Sequence, residues 1–190
     1  VLTAYPLAAL NIPHLVWCAS TMIDDRVERR RSMAFLRRLF DRYIISPVQH
    51  AMEKKILKGR GRFMAVSSYT RESLVSAGGI AERFSKVPIP VDLESFKPPM
   101  SPPRAGVIGF AGRPGDPRKN LSLLFHAVKR LLDQKKNISL KLTGNATEPL
   151  KHLAENLGIT DHITWVGWLK ADDLPGFYQT LDVFVIPSTQ

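Results

Sequence analysis

The chain has 190 residues, 44% of them hydrophobic, with a formal net charge of +10 and a pI near 10.0. That length buries one ordinary core or two small ones. A single cysteine, Cys18, excludes an internal disulfide framework and suits a reducing compartment. No apolar run reaches the roughly 20 residues that span a bilayer, and residues 1–15 lack the basic start and cleavage site of a secretory signal. The chain starts without Met and stops at Gln190 just after an expected strand, so it reads as a fragment.

His14-Leu-Val-Trp-Cys18, preceded by Pro13, predicts a buried strand. A long amphipathic helix is expected over Asp24–Ile45. Met33, Leu36, Leu39, Phe40, Tyr43 and Ile44 share one face, and Arg30, Arg31, Arg37, Arg38 and Arg42 share the other. Pro47 is expected to break or kink it, with a second helix over Val48–Leu57. Charge is concentrated here: Arg26 to Arg62 holds twelve Lys/Arg against three acids, and the rest is close to neutral. Three explanations compete: a solvated helix face, an anionic membrane surface, and nucleic acid. Nucleic acid is disfavoured, because no aromatics interleave for base stacking.

Arg62–Ser67 predicts the next strand and Thr70–Ala77 a helix closed by Gly78-Gly79. Lys86–Val91, carrying two prolines, predicts an edge strand. Residues 97–104 hold four prolines in eight positions and form the expected linker between two lobes. Beyond it strand and helix alternate: strands at 106–111, 138–143, 163–167 and 183–186, helices at 120–133, 147–157 and 171–179. Such alternation with short loops predicts right-handed βαβ units on a parallel sheet. Ligands of these folds bind at the carboxyl edge of the strands, which here carries Gly112-Arg113, Thr143-Gly144-Asn145, Gly167-Trp168 and Pro187-Ser188.

The most informative stretch is Val107 to Leu121. A short apolar strand leads to a Gly/Pro loop with Arg113, Arg118 and Lys119. A helix follows, with Asn120 as its expected N-cap and Leu121, Leu124, Val128, Leu131 and Leu132 on one face. Free backbone N–H groups and the positive end of a helix dipole converge at such a junction, which predicts an anion site. The Walker pattern is absent, and Gly109, Gly112 and Gly115 fall three apart, unlike a dinucleotide loop. The charge comes from side chains instead. Gly144 allows close backbone approach, and Trp168 is either a flat wall beside a nucleobase or a packing residue.

Gly-Phe-Ala-Gly-Arg at 109–113, followed by Arg-Lys-Asn-Leu at 118–121, resembles the donor loop of family 4 retaining glycosyltransferases. Three further blocks resemble the family in the same order: Ala65–Thr70, Pro88–Asp92 with Phe96-Lys97-Pro98, and Asp182–Ser188. The resemblance implies an α/β fold of two Rossmann-like lobes, the GT-B type, present only in part. Residues 1–96 would close the acceptor-side lobe, 97–104 link, and 105–190 open the donor lobe with its parallel sheet. It implies a hexosyltransferase that moves sugar from a nucleoside diphosphate donor to a carbohydrate or lipid-linked acceptor with retained configuration. Arg113 and Lys119 match the family's catalytic cations, with Arg118 a bystander. Gly112, Arg113, Lys119, Gly144, Asn145, Trp168 and Ser188 are the expected donor-binding residues.

No metal and no cofactor are expected, because cations already neutralise the diphosphate and no Asp-x-Asp or His cluster with ligand spacing occurs. The expected setting is cytoplasmic, at or near a membrane surface. Two family elements are missing: a glycine-rich loop that would precede Val1 and a Glu-x7-Glu segment that would follow Gln190. The turn Pro90-Val91-Asp92 also lacks the family's Asn-Gly pair, and His14 opens its strand where the family's His closes one, so no acceptor role is carried over. The piece is expected to be inactive alone. A polyanion- or membrane-binding module and a nucleotide-sugar epimerase of the same fold are the alternatives.

Overall fold

In a computed structural model of the chain, residues 2–19, 33–102 and 105–188 are described. Two compact units divide at Pro90/Val91. No helix among the described residues is long and apolar enough to cross a membrane.

The first unit begins with helix α1 (Tyr5–Ala9) and strand β1 (Leu15–Cys18). The predicted helix over Asp24–Ile45 lies partly outside the described residues; its described part is α2 (Phe35–Phe40) and a π-helical turn, Asp41–Ile45. α3 (Ser46–Lys58) follows without interruption, so the chain does not break at Pro47. The π turn explains this. Ser46 N–H donates five residues back to the Asp41 carbonyl and stays helical (φ −63°, ψ −47°), so the wider turn leaves room for a ring that an α-turn would crowd. β2 (Arg62–Ala65), α4 (Ser68–Ser76) and β3 (Phe84–Lys86) complete the unit.

These strands form a parallel sheet in the order β1-β2-β3. The third strand lies earlier than the expected Lys86–Val91: pairing runs over Phe84–Lys86, Val87 N–H makes a last bond to the Ala65 carbonyl at 2.9 Å, and residues 88–92 are not in strand. Proline has no N–H to donate, so Pro88 and Pro90 end the edge. Val16, Cys18, Ile56, Leu57, Phe63, Leu74 and Phe84 build the core, with Phe63 stacked on Phe84 at 4.6 Å. Ser67 caps α4, its hydroxyl accepting from Thr70 N–H at 3.1 Å. On the basic helix, the apolar Phe35, Leu36, Phe40, Tyr43 and Ile44 are exposed.

In the second unit β4 (Val107–Phe110), α5 (Leu121–Asp133), β5 (Ser139–Leu142), α6 (Glu148–Leu157), β6 (Ile163–Trp165), α7 (Leu174–Gln179) and β7 (Val183–Phe184) alternate as predicted. The sheet order is β6-β5-β4-β7, parallel throughout. The chain steps outward from β4 to β6, then returns to place β7 on the other side of β4. α5 buries Leu121, Leu124, Phe125 and Val128 against Phe110, Leu140 and Leu142. On the opposite face Val107 packs with Phe177 and Leu181. The Leu181 side chain occupies the space a Cβ on Gly109 would need, so the strand requires glycine there.

Asn120 is not the side-chain cap its position suggested. It sits in the left-handed region (φ 48°) with no side-chain cap bond, closing the single 3-10 turn Pro117–Lys119 before α5 begins. Phe96 and Lys97, where the proline-rich segment starts, both touch α7. The Phe96 ring lies 6.0 Å from Tyr178, and Gln179 Nε2 donates to the Lys97 carbonyl at 2.9 Å.

Candidate functional site

The carboxyl ends of β4, β5 and β6 converge through backbone bonds. Thr143 N–H donates to the Phe110 carbonyl at 3.1 Å, and Gly144 N–H to the Gly167 carbonyl at 2.7 Å. The buried Thr143 hydroxyl reaches the same loop: Oγ1 accepts from Gly112 N–H at 3.0 Å and lies 3.4 Å from the Gly112 carbonyl. Gly112 is thus held at both its N–H and its C=O, and the direction in which the loop leaves β4 is set. Gly144 sits at φ +78°, and a Cβ there would lie 2.6 Å from Pro114 Cδ. Only glycine lets the β5 end pass this close beneath the loop.

The loop itself is a folded turn. Asp116 N–H donates to the Arg113 carbonyl at 3.1 Å. The Asp116 carboxylate accepts from Arg118 N–H at 3.1 Å and from Arg118 Nε at 3.0 Å, and pairs with Arg118 Nη2 at 2.7 Å. The guanidinium, chiefly through these hydrogen bonds, holds the Asp116 carboxyl below its usual range, with Lys119 adding a weaker pull. Arg118 is therefore occupied inside the loop. Arg113 is exposed, and neither the Arg113 guanidinium nor the Lys119 ammonium has a hydrogen-bond or ion-pair partner among the described residues.

A concavity of about 450 Å³ opens above these strand ends, lined by Arg113, Pro114, Gly115, Asp116, Asn145, Thr147 and Trp168. Three residues singled out from sequence, Arg113, Asn145 and Trp168, come together on it, with Gly112 and Gly144 in the backbone that supports it. The indole of Trp168 is largely exposed (63%), not packed on a helix. Lys119 and Ser188 do not line it. Lys119 ends the 3-10 turn beside Asp116, and Ser188 follows β7, beyond β4.

Four lining residues, Pro114, Gly115, Asp116 and Thr147, escaped the sequence reading. Thr147 precedes Glu148-Pro149, an N-cap signature that marks a helix start over the strand ends, though its side chain makes no cap bond here. Pro114 and Gly115 read only as turn formers. Chemically, the concavity offers the Arg113 guanidinium, an amide, a hydroxyl and an exposed aromatic face beside backbone held in place, with the Asp116 carboxylate on its lining neutralised by Arg118. That set suits an anion joined to a flat ring.

The sequence profile for "Glycosyl transferases group 1" matches residues 93–190. The GDP-mannose-dependent alpha-(1-6)-phosphatidylinositol monomannoside mannosyltransferase of Mycobacterium tuberculosis is 29% identical over 154 residues, covering 74% of this chain and 40% of that protein. The D-inositol 3-phosphate glycosyltransferase of Streptomyces bingchenggensis is 30% identical over 158 residues, 72% of this chain and 34% of that protein. The chain thus spans about two-fifths of the length of the curated relatives it matches. Among solved structures, Anabaena HepE in complex with UDP superposes with a TM-score of 0.73 at 16% identity, over 100% of this chain and 52% of that one. Sucrose-phosphate synthase of Thermosynechococcus elongatus gives 0.63 at 18% identity, over 94% and 44%. At those identities the likeness is one of fold: α/β with parallel sheets, as in GT-B glycosyltransferases, present here in part. With the profile matched over more than half its length, the chain belongs to the glycosyl transferases group 1 family.

Proposed function

We propose that this chain is part of a longer hexosyltransferase of family 4. It would take sugar from a nucleoside diphosphate donor and pass it to a carbohydrate or lipid-linked acceptor with retained anomeric configuration. The observation that carries the reading is the concavity at the strand ends, whose lining brings Arg113 together with Asn145 and Trp168. Further support comes from relatives: the Anabaena structure is a complex with UDP, and the mycobacterial relative is named for GDP-mannose. Breaking the glycosidic bond leaves growing negative charge on the departing diphosphate. A fixed cation beside those oxygens stabilises the transition state more than the bound donor, and so raises the rate.

Arg113 is assigned the diphosphate, with Lys119 reaching it from the end of the 3-10 turn. Gly112, Gly144 and Asn145 supply close backbone and amide contacts, Trp168 walls the base, and Ser188 approaches from the β7 side. Charge neutralisation by Arg113 and Lys119 makes a metal unnecessary, and the setting is the cytoplasm. This piece alone is inactive, because residues binding ribose and sugar belong to the segment expected after Gln190.

The test is hexose transfer by the longer polypeptide from UDP- and GDP-sugars, with the product anomer read by NMR and chelator present in a parallel reaction. Arg113→Ala and Lys119→Ala should each lower kcat by roughly 10²–10³. Undiminished turnover in both, inversion at the anomeric carbon, or loss of activity with chelator would contradict the proposal.

A further inference from the structure

The loop after β4 turns on Asp116. Its N–H donates to the Arg113 carbonyl at 3.1 Å, and its own carbonyl accepts from Lys119 N–H at 2.9 Å. One residue therefore joins the segment that carries Arg113 to the segment that carries Lys119. Its side chain lies on the lining of the concavity, beside that of Arg113. A carboxylate in that place has the same sign as the anion the concavity suits, and like charges brought face to face oppose binding.

Arg118 removes the conflict. Its Nε lies 3.0 Å from Asp116 Oδ1 and 3.2 Å from Oδ2, its Nη2 lies 2.7 Å from Oδ2, and its backbone N–H donates to Oδ1 at 3.1 Å. A planar guanidinium grips both carboxylate oxygens in a way an ammonium cannot. The two side chains are 31% and 16% exposed, so water screens the pair less than it would a pair on the open surface. Arg118 does not itself line the concavity. Of the cations near the Asp116 carboxyl, it depresses the pKa most and Lys119 less.

We infer that Arg118 is a positioning residue of the donor site. Its guanidinium holds and neutralises the Asp116 carboxylate, so that the diphosphate meets Arg113 without an opposing charge on the same wall. The inference rests on the nucleoside diphosphate reading given above and assigns a role to a cation that the family resemblance leaves a bystander.

The experiment is calorimetric titration of this chain with UDP and GDP, their monophosphates and their nucleosides. Arg118→Gln should weaken the diphosphates roughly ten- to a hundredfold and the monophosphates less, with the nucleosides unchanged. Arg118→Lys, which keeps the charge but not the fork, should fall between Arg118→Gln and the parent. Adding Asp116→Asn to Arg118→Gln should restore diphosphate affinity to within about threefold of the parent. A purely structural role would give no such rescue, because the second substitution takes a further bond from the loop. Raised salt should narrow the gap between Arg118→Gln and the parent. Without ligand, the Asp116 carboxyl followed by carbon-13 NMR should titrate closer to the ordinary carboxylate range in Arg118→Gln than in the parent. A parent that binds neither diphosphate would overturn the reading of the site and this inference with it. A parent that binds diphosphate, with Arg118→Gln equal to it, weakened alike for nucleoside and diphosphate, or not rescued by Asp116→Asn, would overturn this inference alone.

Discussion

Replacing Thr143 by Val keeps the shape of the side chain and removes one oxygen. That oxygen accepts from Gly112 N–H at 3.0 Å and lies near the Gly112 carbonyl, fastening the donor loop to the end of β5. Without it, a backbone N–H loses its partner at a site where Thr143 itself is only 5% exposed. An unsatisfied buried donor costs about 1–3 kcal/mol; because Gly112 is half-buried, water recovers part, and about 1–2 kcal/mol is expected. For a cooperative unit of this size that is a fall in Tm of roughly 4–15 °C. Urea unfolding, with Thr143→Ser as the control that keeps the hydroxyl, measures it. The Val variant should also bind nucleotide more weakly, because Arg113 follows directly from the loosened residue. If Thr143→Val unfolds with the wild-type midpoint and Thr143→Ser does not differ from it, the hydroxyl does not hold the loop and the positioning argument fails.

Gly144→Ala combines left-handed backbone with a contact to Pro114, for which roughly 2–4 kcal/mol of destabilisation is expected in the same denaturant titration. Phe125→Ala, fully buried under α5, should cost about 3–5 kcal/mol and abolish the near-UV signal of packed aromatics at elevated temperature. Asp116 has a carboxyl held below its usual value, so its contribution is complete at neutral pH and disappears as pH falls through the depressed folded value. Asp116→Asn should therefore be less stable than wild type at pH 7, and the gap should close on acidification below about pH 4; a gap that is constant with pH would refute the pairing with Arg118.

Much of the second unit was legible because its helices have clean periods and its strands are marked off by turn residues. Leu121, Leu124 and Val128 share one helical face, and the β4–β7 strands are short apolar runs between turn signals, so helix, strand and parallel order follow from pattern alone. Arg113, Asn145 and Trp168 came together because each directly follows a strand of one parallel sheet, a placement that topology determines. What pattern could not supply is which side of a stripe is covered. The period places Leu36, Phe40 and Tyr43 on one face but is silent on whether protein lies there, and among the described residues these side chains are exposed. Pro47 likewise signals a break only if the preceding turn is α; a π turn depends on hydrogen-bond register, which composition does not encode. Asn120 could cap a helix or close a turn in the left-handed region, and the preceding Pro117 turn selected the second.

A diphosphate resting against Arg113 at the ends of β4 and β5, as proposed, is detectable by calorimetric titration. UDP or GDP added to this chain should release heat with a defined affinity while the parent nucleoside binds far more weakly. Arg113→Ala should weaken the diphosphate at least about tenfold, as expected for loss of a charge-assisted hydrogen bond, and Lys135→Ala, remote in the turn after α5, should change nothing. Equal affinity for nucleoside and diphosphate, or a diphosphate affinity indifferent to Arg113, would contradict the account.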